Sequence, residues 1–148
     1  MFKSKPRGVH LRYYKELTEL KPIKDALLPQ EVVIALSQHA GTPARPIVGP
    51  GDKVKCGTKI AESAGLVSSP IHASISGVVT GVKDYFHPIG GFYGAVIISS
   101  DGYDEKEFFS PADPKGFSSK ELQKIIHEAG VVGLGGAAFP TAVKINPP

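Results

Sequence analysis

The sequence of 148 residues has one cysteine, one methionine and no tryptophan. Because a disulfide needs two thiols and a cysteine-bound metal cluster needs several, Cys56 alone excludes both kinds of site within this chain. No apolar run approaches the roughly 18–20 residues that a transmembrane helix requires. Residues 1–14 also lack the apolar core of a signal peptide, so we expect an intracellular protein.

Neither sign of charge dominates the sequence. Seventeen Lys and Arg residues face 14 Asp and Glu residues, and the resulting net charge is only +3. The two signs are interspersed, so nothing indicates a nucleic-acid-binding surface, and we expect no nucleic-acid partner. An apolar content of 41% with 21% charged residues is typical of a globular protein.

Glycine and proline, with 17 and 13 copies, divide the middle of the chain into short segments. The segments between them are rich in β-branched residues and separated by turns, which is typical of a small sandwich or barrel-like β unit. We predict strands at 31–36, 46–48, 53–55, 59–61, 77–82 and 93–99. We divide the chain into an irregular arm (1–29), a β domain (30–100), a linker (101–117) and the start of a second domain (118–148).

The second domain begins with a well-specified helix. Ser118 and Glu121 have the spacing of a capping box, in which each side chain satisfies a backbone N–H group of the other residue. Gly130 stands where a glycine commonly ends a helix. Between them, one apolar helical stripe is formed by Leu122, Ile125, Ile126 and Ala129.

The helix leads directly into the glycine loop, which we define as residues 130–144. Residues 133–138, Gly-Leu-Gly-Gly-Ala-Ala, satisfy the letters of the dinucleotide-binding fingerprint. That fingerprint requires a strand before the loop and a long helix after it, whereas here a helix precedes the loop. We therefore reject a Rossmann fold. A different phosphate-holding loop and a plain glycine-rich turn both remain open.

The turns of the β domain resemble those of the barrel-sandwich hybrid fold of biotinyl and lipoyl carrier domains over residues 49–61 and 69–79. In these carriers, a lysine at the tip of a hairpin carries the prosthetic group. The corresponding tip lies near Gly65 and Leu66, and the nearest preceding lysine is Lys59. The resemblance therefore implies the fold without the carrier function.

Four stretches together resemble one family. They are Ser-Gln-His-x-Gly-x-Pro-Ala-x-Pro-x-Val (37–48), Gly-Asp-Lys-Val (51–54), Ser-Pro-x-His-Ala-x-x-Ser-Gly (69–77) and the glycine loop. This pattern is similar to the RnfC subunit of the Rnf-type ion-translocating electron transport complex, over about residues 8–145. Because family members are far longer, the resemblance implies an N-terminal fragment that ends inside a flavin domain.

The resemblance also implies a function. The RnfC subunit is a peripheral protein on the cytoplasmic side of the inner membrane, where it binds FMN and NADH. Two [4Fe-4S] clusters are expected only beyond this fragment. The whole complex transfers electrons between NADH and ferredoxin and couples this to ion translocation, so the implied partners are its other subunits, NAD(H) and ferredoxin. We expect the isolated chain to be catalytically silent.

By the same resemblance, the glycine loop is part of the FMN site, similar to the loop of the flavin-carrying subunit of respiratory complex I. Its backbone would line the phosphate, and two side chains would supply a donor and a cation. The expected cofactor-binding residues are Gly133, Gly135, Gly136, Ala137, Thr141 and Lys144. Ala138 stands where the family usually has glycine, and we expect its Cβ to hinder a positive φ.

Other interpretations of the chain stay open. One alternative is a non-catalytic docking or assembly module of the same complex, with the basic N-terminal arm as a contact. Another is the related flavin-dependent cobalamin reductase of metabolosomes, which uses a similar loop. The five histidines are not spaced as metal ligands, so we assign no metal site and no catalytic residue.

Overall fold

The computed structural model describes residues 13–108, 110 and 113–146. The first twelve residues of the predicted arm and residues 109, 111 and 112 of the predicted linker lie outside the described part. The strands are β1 (Glu31–Ala35), β2 (Arg45–Pro46), β3 (Lys53–Val54), β4 (Lys59–Glu62), β5 (Ile71–His72), β6 (Gly77–Phe86) and β7 (Phe92–Ser100). A 3-10 turn (Pro114–Gly116) precedes helices α1 (Ser119–Glu128) and α2 (Thr141–Lys144).

The strands form two antiparallel sheets. One sheet has the order β1-β7-β6-β3 and the other has the order β2-β4-β5. β6 and β7 make the longest pairing, which runs from Gly77 opposite Ser100 to Phe86 opposite Phe92. The register shifts between Val79 and Gly81, and such a bulge increases the local twist of a sheet. The mainly β class predicted from the turn spacing is confirmed.

The apolar core lies between the two sheets. Both faces of the central part of β7 are buried, so its residues 95–98 form a continuous apolar run instead of alternating with polar side chains. Ile60 and Ile98 are completely shielded from solvent. The core cluster comprises Ile34, Leu36, Ala44, Val54, Ile60, Ala61, Ile71, Ala73, Ile75, Val79, Val96 and Ile98.

The structure differs from the predicted strands mainly in their length. β6 continues four residues beyond the predicted end at Val82, because its far half pairs with β7 and needs no core contact there. β5 was not predicted. Its two residues pair with β4, and a strand this short leaves no periodic pattern in the sequence.

The segment after β7 lies against the β domain. The Cys56 N–H donates to Glu105 O at 2.9 Å, and the Glu107 N–H donates to Cys56 O at 2.8 Å. The buried Ser76 hydroxyl donates to the Asp101 carboxylate at 2.7 Å. These bonds attach residues 101–107 to the edge of the β domain, although the sequence suggested a linker there.

Helix α1 begins and ends as the sequence predicts. The Ser118 side chain accepts from the Glu121 N–H, and the Glu121 carboxylate accepts from the Ser118 N–H at 2.8 Å, which confirms the capping box. At the other end, Gly130 has a φ of +68° just after the last helical turn. This left-handed glycine turns the chain sharply into the glycine loop.

Candidate functional site

The glycine loop is closed at its base by a short antiparallel bridge between Val132 and Pro140. The Gly133 N–H donates to Phe139 O at 3.0 Å, and the Thr141 N–H donates to Val131 O at 2.9 Å. Pro140 is buried within this base. The chain therefore leaves α1, forms a loop over residues 133–139, and returns to begin α2.

The tip of the loop has an open backbone. An added Cβ at Gly135 or at Gly136 would meet no atom within 4 Å. Residues 134–137 form a turn, but among the described residues no N–H group of residues 134–138 makes a hydrogen bond of standard length and angle. Leu134 projects almost fully into solvent. Several neighbouring amide donors thus remain available for a ligand with acceptor oxygens.

The structure brings Lys144 to the base of this loop. Its ammonium nitrogen lies 3.7 Å from the position that a Cβ on Gly133 would occupy. Thr141, also predicted as a site residue, is the first residue of α2 and is half-buried. Ala137 contacts the β domain instead, since its carbonyl oxygen accepts from the Ala40 N–H at 3.0 Å. The predicted residues therefore share one loop, with one cation at its base.

Ala138 adopts a left-handed backbone conformation, with a φ of +50°. From the sequence, its Cβ is expected to hinder this conformation. The chain adopts it nevertheless, at a cost of roughly 1–2 kcal/mol for a residue that carries a Cβ. The loop backbone therefore follows the course that a glycine at position 138 would allow, and the alanine found there is strained.

Helix α1 is fixed to the β domain at its C-terminal end. The Lys59 ammonium donates to the Glu128 carboxylate at 2.5 Å, and the Ser63 hydroxyl and His127 Nε2 lie 2.9 Å apart. Gly130 follows so closely that an added Cβ would lie 2.6 Å from Pro70 O. The start of the glycine loop is thus held directly against the β domain.

The electrostatics of this contact favour a neutral His72 and an ionised Glu128. Burial and the neighbouring Lys59 ammonium lower the pKa of His72 below its ordinary value of 6.5. The hydrogen bond from Lys59 lowers the pKa of Glu128 below its ordinary value of 4.5. At neutral pH the contact therefore contains a neutral imidazole beside an ion pair.

His39 and Ala40 also fix the loop, although the sequence predicts a role for neither. His39 is buried, and its Nε2 lies 3.1 Å from both the amide nitrogen and the carbonyl oxygen of Ser69. Its Nδ1 donates to Ala40 O at 3.1 Å. The next bond in this chain runs from the Ala40 N–H to Ala137 in the glycine loop. The only sequence signal was that His39 lies in a family-like stretch.

Two small cavities lie along the contact between the β domain and α1. One of about 130 Å³ is lined by Gln38, His39, Pro70, Ile71, His72, Gly130 and Val132. The other, of about 260 Å³, is lined by Gly57, Lys59, His72, Glu107, Phe108 and Glu128. Both are smaller than the roughly 300–1,000 Å³ of typical small-molecule sites.

Within the described part of the chain, no three His, Cys, Asp or Glu side chains are grouped so that they could hold a metal ion. None of the described helices combines the length and the apolar character needed to span a membrane.

Comparison with known proteins gives the family. Residues 3–103 match the family described as the RnfC barrel sandwich hybrid domain. The chain is 46% identical to the C subunit of the proton-translocating ferredoxin:NAD(+) oxidoreductase complex of Clostridium ljungdahlii, over all of this chain and 33% of the relative. It is 40% identical to the Na(+)-translocating counterpart of Acetobacterium woodii, over 95% of this chain and 32% of the relative.

A third relative, the C subunit of the ion-translocating oxidoreductase complex of Pseudomonas aeruginosa, is 41% identical over 95% of this chain and 18% of its own length. The chain thus spans about a third or less of these curated relatives. The barrel-sandwich hybrid fold and the family resemblance inferred from the sequence are both confirmed: the chain belongs to the RnfC family.

Proposed function

We propose that this chain is the N-terminal part of the RnfC subunit of an ion-translocating ferredoxin:NAD oxidoreductase complex. The observation that carries this proposal is the 46% and 40% identity to two subunits with that function in their names, the first of which is matched over the whole of this chain. In this role the whole subunit would exchange electrons with NADH, and the complex would connect this to ferredoxin and to ion movement. It would lie on the cytoplasmic side of the membrane.

Within that subunit, the glycine loop would hold the phosphate of FMN. The open backbone at Gly135 and Gly136 supports this, because a phosphate needs close approach to several N–H donors. Lys144 supports it as well, since its ammonium lies at the base of the loop, where it would balance the negative charge. The N–H groups of residues 134–138 would donate to the phosphate oxygens.

When bound, FMN would supply the ability to exchange a hydride with NADH and to pass electrons singly to iron–sulfur clusters. The residues of this chain would bind and orient the cofactor. Lys144 would hold the phosphate, and the Ala40–Ala137 hydrogen bond would fix the loop relative to the β domain. The two [4Fe-4S] clusters would be held by residues outside this chain.

A second candidate function is docking without cofactor binding. It is favoured by the segment before β1, where Leu20, Ile23 and Leu27 are each at least 94% exposed. Apolar side chains exposed to this extent are typical of a surface that packs against another protein. In this case the β domain would dock the subunit onto its neighbours in the complex, and the glycine loop would be only a turn.

One experiment separates the two candidates. Gly135→Val and Gly136→Val are introduced together into the full-length subunit, and bound FMN and assembly of the complex are measured. The cofactor proposal predicts an assembled complex that has lost its FMN, because the new side chains cover the loop amides. An assembled complex that keeps its FMN would contradict the cofactor proposal and leave docking, because the loop would then be only a turn. Gly49→Val, at a distant turn with equally open surroundings, is the control.

A further inference from the structure

The far ends of β6 and β7 form a hairpin that extends beyond the core. Its tip, residues 84–93, has the sequence Asp-Tyr-Phe-His-Pro-Ile-Gly-Gly-Phe-Tyr. Phe86, Ile89 and Phe92 are 62%, 76% and 72% exposed, and Tyr85 and Tyr93 are partly exposed beside them. Asp84 is the only Asp, Glu, Lys or Arg in these ten residues. The hairpin tip is therefore an apolar, aromatic projection.

This projection has a defined shape. The His87 N–H donates to Gly91 O at 2.9 Å, and the Gly90 N–H donates to His87 O at 2.8 Å. Phe86 and Phe92 meet edge to face, with ring centroids 6.0 Å apart. Strand pairing and the turn thus order the aromatic side chains before any partner binds, and this lowers the entropic cost of binding.

His87 attaches the tip to the rest of the β domain. Its Nδ1 accepts from the Ile89 N–H at 3.2 Å, so Nε2 carries the proton and donates to Ser37 O at 3.1 Å. Ser37 begins the same short loop whose Ala40 N–H donates to Ala137. The loop of residues 37–40 therefore contacts both the hairpin tip and the glycine loop.

The charges of the tip indicate what it binds. A membrane surface on the cytoplasmic side is anionic and attracts clusters of Lys and Arg, but residues 83–93 contain a single cation, Lys83, and its charge is offset by the neighbouring Asp84. The interface core between proteins, in contrast, is poor in charge and rich in Phe and Tyr. The composition of the tip therefore favours a protein partner over lipid.

A second copy of this chain is also a poor match. A projecting tip needs a recess lined by apolar side chains. The recess of about 560 Å³ beside β3 is lined by charged groups, among them Lys53, Lys55, Asp101, Glu105 and Glu107. Of the two cavities along α1, the one of about 260 Å³ contains Lys59 and Glu128, and the other measures only about 130 Å³. A recess of about 580 Å³ beside residues 28–30 and 99–102 includes Asp101 and three further polar side chains. These recesses are therefore poor matches for the apolar hairpin tip.

We infer that the hairpin tip docks into an uncharged, apolar recess on a different subunit of the complex. This inference rests on the proposed function, which places the chain within a complex. Phe86 and Phe92 are the anchors, and Ile89 packs at the end of the turn. The 37–40 loop then connects the docked hairpin tip to the glycine loop, through the His87–Ser37 and Ala40–Ala137 hydrogen bonds.

The test replaces Phe86→Thr and Phe92→Thr together in the full-length subunit within its complex. Threonine keeps the strand preference and removes the aromatic surface. We expect about tenfold or greater loss of the subunit from complexes purified after membrane solubilisation, because buried aromatic anchors dominate interface energies. The control is Tyr103→Ser, an exposed aromatic residue outside the hairpin. Unchanged far-ultraviolet circular dichroism of the purified variant shows that it folds.

Retention of the double variant at the wild-type level would overturn the inference. So would binding of the wild-type subunit, but not the variant, to vesicles of phosphatidylcholine and phosphatidylglycerol, or self-association into a dimer that the variant abolishes. FMN content separates this test from that of the cofactor loop. A variant subunit that is released with its FMN supports the inference, whereas wild-type complex without FMN contradicts the loop proposal and leaves the docking result valid.

Discussion

Ala138 shows what a single methyl group does to the candidate cofactor loop. Its φ of +50° lies in the left-handed region, which an alanine occupies at a cost of roughly 1–2 kcal/mol. The surrounding bonds impose this conformation, since the loop is closed at Val132 and Pro140 and held by Ala40 at its far side. The strain is therefore a property of the site and can be measured.

We predict that Ala138→Gly stabilises the protein. Glycine removes the strain but adds conformational entropy to the unfolded chain, so the net gain is up to about 1 kcal/mol. The measurement is the free energy of unfolding in urea. Ala137→Gly is the matched control, because Ala137 is not among the residues with positive φ, and it should be neutral or destabilising. Equal effects of both substitutions would argue against strain at Ala138.

Helix α1 is the element that the sequence predicts best. Its start signal, its apolar stripe and its terminal glycine all lie within thirteen residues, so local chemistry determines it.

We predict that Ser118→Ala lowers the free energy of unfolding by about 1 kcal/mol, since the N–H of Glu121 loses its acceptor. Ser119→Ala, one position into the helix, should change stability little. A similar loss for both would show that capping is not responsible.

The contact between α1 and the β domain should depend on pH. Because the pKa of His72 is lowered, the folded protein binds fewer protons than the unfolded chain at pH values below 6.5. The contribution of neutral His72 to the free energy of unfolding is therefore complete above its ordinary pKa of 6.5. It is lost as the pH falls from 6.5 through the lowered pKa of the folded protein. His72→Gln should flatten the fall in the urea midpoint between about pH 7 and 5.

Lys59 and Glu128 are the charged groups that face His72, and the pKa of Glu128 is lowered from an ordinary value of 4.5 that already lies below this window. Their ion pair thus stays formed while His72 titrates. An unchanged pH dependence in His72→Gln would assign the effect to another group. His127→Gln, which alters the neighbouring contact with Ser63, is the control for loss of a side chain at this place.

Other elements show the limits of sequence reasoning. β5 and the far half of β6 exist because they pair with another strand, β4 and β7 respectively, and neither carries a periodic signal of its own. The role of residues 101–107 was missed for the same reason, since their bonds go to Cys56 and Ser76. The sequence contains the aromatic residues of the hairpin, but only the structure shows that they are exposed.

At the scale of the whole molecule, the β domain and the glycine loop are joined at several points. The 37–40 loop, the Lys59–Glu128 ion pair and the close contact of Gly130 with Pro70 all connect them. The family resemblance predicted which residues form the loop, because its motif is local. It did not predict how the β domain holds the loop, because those contacts join residues 60 to 97 positions apart.

The central claim is that the glycine loop holds the phosphate of FMN, and the affinities of the flavin-free full-length subunit for FMN and for riboflavin test it most directly. Riboflavin lacks only the phosphate. We predict that FMN binds at least about tenfold more tightly, and that Lys144→Met removes most of this difference without weakening riboflavin, whereas the control Lys120→Met keeps it. Equal affinity of the unmodified subunit for FMN and riboflavin would contradict the claim.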